Sequence, residues 1–146
     1  MKRQSIRTLG DDAGAAAVEF AMVLPILCLV LLGILDGWSY VTSSLSMRAG
    51  VKTAANLVMG GSTNDAATKA VAIASWENRP EDGQVTLTRI YMCGTTVVNA
   101  STLCSGPKAP SVYVQIQASA TWVPPVAFGA FSASSIIGHQ EMIRVR

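Results

Sequence analysis

The sequence predicts an α+β protein: a long N-terminal helix, a short second helix and a small antiparallel sheet of about three strands. Three observations carry this. Residues 15–35 form an apolar run with one charge, Glu19. Beyond it, Met47, Val51, Ala54, Ala55 and Val58 recur at steps of three or four, the spacing of one helical face. Further on, Val112, Val114, Ile116, Ala118, Ala120 and Trp122 alternate with Tyr113, Gln115, Gln117, Ser119 and Thr121, the period of a half-buried strand.

Composition narrows the class of protein. Half of the 146 residues are hydrophobic and 14% are charged, against about a quarter charged in an average globular chain. A disordered chain would be poor in apolar residues and rich in charge, so disorder is excluded. The charge deficit is concentrated in residues 15–35, which argues against an ordinary cytosolic enzyme. The residues beyond position 36 suffice for one modest core and not for two. With 11 basic and 9 acidic residues the net charge is only +2. No basic cluster with interleaved aromatics occurs, and a nucleic-acid partner is not expected.

The apolar run has 21 residues. At about 1.5 Å per residue it reaches about 31 Å, roughly one hydrocarbon core, so membrane lipid is its expected surrounding. A secretory signal peptide is the rival reading. Its apolar region normally runs about 7–15 residues, and cleavage of an unusually long one would leave a soluble chain starting near residues 44–50. Trp38 and Tyr40 stand where an aromatic belt meets the interface. Lys2, Arg3 and Arg7 precede the run, and no Lys or Arg follows until Arg48. The positive-inside rule then places the N-terminus in the cytoplasm and the remainder outside. A Cys93–Cys104 disulfide is reasonable in an oxidising compartment and would stabilise the domain by about 2–4 kcal/mol. Cys28, inside the run, reads as a small hydrophobe.

Glu19 does not fit a plain anchor. A carboxylate inside an apolar span costs about 2.5–3.5 kcal/mol on insertion scales and usually has a partner. If the bond between Gly14 and Ala15 were cut, Ala15 would carry a new α-amino group and Glu19 would become the fifth residue. The ammonium and the carboxylate would then neutralise each other, within a chain or between neighbours. The string Gly10-Asp11-Asp12-Ala13-Gly14-Ala15-Ala16-Ala17-Val18-Glu19-Phe20-Ala21-Met22-Val23-Leu24-Pro25 resembles the opening of the TadE-like family, small pseudopilins of tight-adherence (Flp) pilus systems.

That resemblance implies a pilin-like shape in three parts. Residues 1–14 would be a cytoplasmic prepilin leader, residues 15–37 the transmembrane part of the long helix, and residues 38–146 an extracytoplasmic domain. It also implies a minor pilin or pseudopilin, cut by a prepilin peptidase between Gly14 and Ala15. Glu19 would be its assembly carboxylate, next to Phe20. The implied place is the bacterial inner membrane, crossed once, with the domain in the periplasm, or the pilus itself. Implied partners are the peptidase, other pilins or pseudopilins and the inner-membrane assembly platform, and the implied role is surface attachment and biofilm formation. The alternative is a permanently anchored single-pass component of a secretion or assembly apparatus that is never processed.

Other residues of the span suit lateral packing. Ala17 and Ala21 are four apart, as are Gly33 and Gly37, and small residues at that step let helices approach closely in lipid. Pro25 removes one backbone donor and leaves the carbonyl of Ala21 without it, which predicts a kink or a loosened stretch over residues 21–25.

After the long helix, Gly60-Gly61 is the stop signal. Residues 62–65 offer caps for a second helix over about 66–76. Asn78-Arg79-Pro80-Glu81-Asp82-Gly83 is turn-rich. Strands are expected over residues 84–92, 111–122 and 136–146, with Val123-Pro124-Pro125 ending the second. Residues 126–135 read as a loop, and so does the stretch between the two cysteines.

Nothing in the sequence makes a catalytic constellation, so no enzyme activity, cofactor or metal is expected. His139, the lone histidine, shares a strand face with Glu141. A zinc site needs three or four ligands, and the sequence offers no others nearby; His139 reads as an exposed residue without a role. Cys93 and Cys104 do not form a C-x-x-C redox motif.

Overall fold

The computed structural model describes residues 12–129 and 133–145, with side chains from Gly14 onward. Its elements in chain order are α1 (Asp12–Met59), α2 (Asp65–Ala74), β1 (Gln84–Cys93), β2 (Thr96–Val98), β3 (Ser111–Trp122) and β4 (Ser135–Arg144). The fold is α+β, as the sequence predicts, with four strands instead of about three. The sheet is antiparallel in the order β2-β1-β3-β4.

The two helices end where their chemistry says they must. Gly61 adopts φ +91° past the end of α1. The Ser62 amide donates to the Leu57 carbonyl at 3.0 Å, and the Gly61 amide to Val58 at 3.0 Å. This is a Schellman closure, which favours glycine at the left-handed position. Asn64 caps α2, its side chain accepting from the Ala67 amide at 3.0 Å.

α1 packs against the rest of the chain chiefly beyond residue 35, with Leu32 and Gly33 half-buried before it. There Met47, Val51, Ala54, Ala55 and Val58 are buried against Val85, Val114, Ile116, Ala118, Ala120, Trp122 and Ile137 of the sheet and against Ala72 and Trp76. β3 supplies every second residue to this core, from Val112 to Trp122. A helix stripe closing one face of an antiparallel sheet is a two-layer solution. Gly50 sets the distance between the helices, since a Cβ there would lie 2.7 Å from the Ala72 carbonyl and 3.2 Å from Trp76 Cβ. The backbones meet at a point where no side chain fits.

The fourth strand comes from a tight hairpin. Cys93 pairs with Thr96 across Gly94-Thr95, and Gly94 has φ +66°, the placement favoured in a two-residue turn. Thus the stretch between the cysteines is not all loop. Cys104 lies beyond β2, bridged to Lys108 by an amide-to-carbonyl bond of 2.8 Å. Cys93 and Cys104 are joined by a disulfide with their Cα atoms 5.5 Å apart.

The helix α1 runs on through Pro25. One further expectation is corrected. His139 is half-buried, its Nε2 3.7 Å from Glu141 Oε1. Ile137, His139, Glu141 and Ile143 are the less exposed alternate residues of β4, and His139 and Glu141 line a groove with Leu45, Arg48, Ala49 and Lys52 of α1.

Candidate functional site: the apolar helix and its foot

α1 is described from Asp12, so the bond between Gly14 and Ala15 lies within the helix. The remaining leader, residues 1–11, lies outside the described residues. From Gly14 to Leu31 every residue is exposed, including Ala17, Glu19, Phe20 and Ala21. The large side chains from Val18 to Leu35, the half-buried Leu32 excepted, bury little against their own chain. Such a surface is far too apolar for water and is long enough to cross a bilayer. Glu19 has no ion-pair partner among the described residues. Gly33 is half-buried, with open space around the place a Cβ would take, whereas Gly37 is half covered at the point where the domain begins.

That point is marked by a residue whose role sequence reading misses. Asp36 is fully buried. One of its carboxylate oxygens accepts from the Val126 amide at 2.8 Å and the other from the Phe128 amide at 3.0 Å. A carboxylate receiving two backbone donors is a charge-assisted clamp, stronger than neutral hydrogen bonds. It ties the segment after β3 to α1, 90 residues earlier in the chain. One turn higher, Trp122 Nε1 donates to Ser39 Oγ at 3.3 Å. The Tyr40 and Trp122 rings meet edge to face at 5.2 Å, so Tyr40 leans on the domain surface while Trp38 is more exposed.

The opposite end of the domain is charged. Asp65, the first residue of α2, receives Arg89 of β1 through Nη2 at 2.6 Å and Nε at 3.0 Å. The Arg89 hydrogen bonds hold the Asp65 carboxyl below its ordinary value, and the same pairing raises Arg89. Nearer the foot, Asp82 accepts from the Thr121 amide at 2.9 Å, and hydrogen bonding to the Thr121 side chain and amide holds its carboxyl below the ordinary value. Among the described residues no group of three or more His, Cys, Asp or Glu side chains is placed to hold a metal ion.

The fold and this site define a class: a small α+β domain built on a helix whose first half is dressed for a single membrane crossing. Over residues 14–56 the chain matches the model of a family described as TadE-like protein. The match covers most of α1, from the glycine of the motif to the core-packing stripe. It points to a component associated with Tad pili, and the family's members are pilus components. No curated protein and no solved structure matches the chain.

Proposed function

We propose that this protein is a minor pilin or pseudopilin of a tight-adherence (Flp) pilus and that a prepilin peptidase processes it. The observation that carries the reading is a coincidence of position. The family match begins at Gly14, the residue that precedes Ala15 by one and Glu19 by five, on a helix whose apolar surface is open to neighbours. Hydrolysis of the Gly14–Ala15 bond releases the leader and leaves an α-ammonium on Ala15. Ala15 and Glu19 are four apart, on one face of a helix. The carboxylate therefore meets either its own ammonium or that of an adjacent subunit, and the cost of a charge in the span falls.

In this reading the N-terminus is cytoplasmic, the span lies in the inner membrane of a bacterium and the domain faces the periplasm. The span packs with other pilins or pseudopilins on the inner-membrane assembly platform through Ala17, Ala21 and Gly33. A helix running through Pro25 tolerates the missing amide because neighbouring helices shield it. The output is assembly of a pilus that serves surface attachment and biofilm formation. The test is the intact mass of the membrane-extracted protein, made with and without an active prepilin peptidase. Loss of the first 14 residues only with the active peptidase is expected. An unshortened chain in both samples rejects processing and leaves a permanent single-pass anchor.

A further inference from the structure

We infer that the foot of the domain is a second membrane contact: the segment at residues 123–128, held by Asp36, rests in the outer headgroup layer beside the span. This rests on the helix spanning a bilayer. Three observations carry it independently of the processing step.

The first is height. The exposed apolar run ends at Leu35, and the next residue is the buried carboxylate that binds the Val126 and Phe128 amides. A helix advances about 1.5 Å per residue, so the clamped segment lies at the level where the hydrocarbon gives way to headgroups. The second is surface. Val123 is 68% exposed, Val126 38% and Phe128 37%, and on the other sides of the foot Trp38 is 70% and Ile136 81% exposed. Ile136 pairs with Thr121 in the sheet register, which keeps it at the same end. Apolar side chains surrounding a helix exit, with a Trp among them, are the composition of a membrane-interface belt.

The third is charge. From Thr121 to Gly138 the sequence has no Asp, Glu, Lys or Arg, and on α1 none stands between Glu19 and Arg48 except Asp36. The nearest charge on the β1 side is Asp82, bonded to the Thr121 amide. Burial of Asp36 under two backbone donors removes the one charge that would repel the headgroup–acyl boundary. It also satisfies the amides of Val126 and Phe128 within the protein, so neither needs a partner from that layer.

The occupant is lipid, by continuity with the span. The test uses the full chain with Cys28→Ser, reconstituted in vesicles of phosphatidylethanolamine and phosphatidylglycerol. Single nitroxide labels are placed at Val126→Cys, at Val123→Cys, at Val30→Cys in the span and at Val97→Cys on the β1–β2 hairpin. Collision with oxygen is compared with collision with a water-soluble nickel chelate. The labels at 123 and 126 are expected to favour oxygen several-fold over the label at 97, though less than the label at 30. Equal ratios at 126, 123 and 97, with 30 in lipid, overturn the inference and leave the span intact. A label at 30 open to the chelate overturns both. Spin–spin broadening at 126 that grows with the protein-to-lipid ratio identifies a second copy as the occupant and also overturns it. Agreement of 123 with 126 guards against distortion of the clamp by one substitution.

Discussion

Residues 14–35 and 36–59 are consecutive halves of one helix, and they live in opposite surroundings. The first half is the more apolar and, apart from Leu32 and Gly33, leaves its residues exposed. The second carries Ser39, Thr42, Ser43, Ser46 and Thr53, yet it holds the core. Three of these hydroxyls bond back to the helix itself: Thr42 donates to the Trp38 carbonyl at 3.0 Å, Ser46 to Ser43 at 3.1 Å and Thr53 to Ala49 at 2.9 Å, while Ser39 accepts from Trp122. Polar groups thus sit in the packed half at little cost, because the backbone satisfies them. The lesson is that apolar content does not decide where a helix packs. A stripe with small residues meets a sheet, whereas an apolar surface all round meets lipid and other helices.

The contrast is broken or sharpened most strongly in the core. Ile116→Ala removes a fully buried side chain beneath the second half and is expected to cost about 2–5 kcal/mol. Leu27→Ala in the first half is expected to stay within about 0.5 kcal/mol. Denaturant titration in detergent, followed by tryptophan fluorescence, compares the two. Equal losses would mean that the first half packs within its own chain.

The boundary between the halves comes next. Asp36→Asn keeps the shape but places an amide against one of two amide donors. A loss of about 2–3 kcal/mol is expected. Hydrogen exchange is expected to quicken at Val126 and Phe128 and to remain unchanged in β1. Unchanged protection at both amides would show that the clamp is not what holds the foot.

The smallest effect lies at the far, charged end. The folded Asp65 carboxyl is held below its ordinary value of 3.8 by Arg89. The unfolded chain therefore takes up the proton first as pH falls. The pair's stabilisation is whole above the ordinary value and is lost as pH drops through the lower folded value. For a partly exposed pair it is at most about 1 kcal/mol. Arg89→Ala should remove that part of the acid limb from stability curves and leave the part due to Asp82, which has the same sign. An identical acid limb in the variant would place its origin elsewhere.

Much of this was legible along the chain. β3 reads off its strict alternation, and the end of α1 off Gly60-Gly61, because both depend on neighbours in sequence. The Gly14–Glu19 spacing was legible in the same way, and the family match begins there. The β1–β2 hairpin left a signal, Gly94-Thr95 followed by the β-branched Thr96-Val97-Val98. A three-residue strand beside a cysteine is nevertheless easily read as loop. Asp36 and Gly50 were hidden for a different reason. Asp36 stands where a polar residue is expected at the end of a span, and its partners are 90 and 92 residues away. Gly50 looks like a weak point in a helix until α2 lies across it. His139 looks exposed in the sequence because its strand is clear there and the helix covering that face is not.

The unbroken course of α1 has a mechanical consequence. Its 48 residues make a rod about 72 Å long, with the sheet packed on one end. A displacement of the apolar end reaches the domain through continuous helix, so whatever holds that end also sets the heading of the sheet.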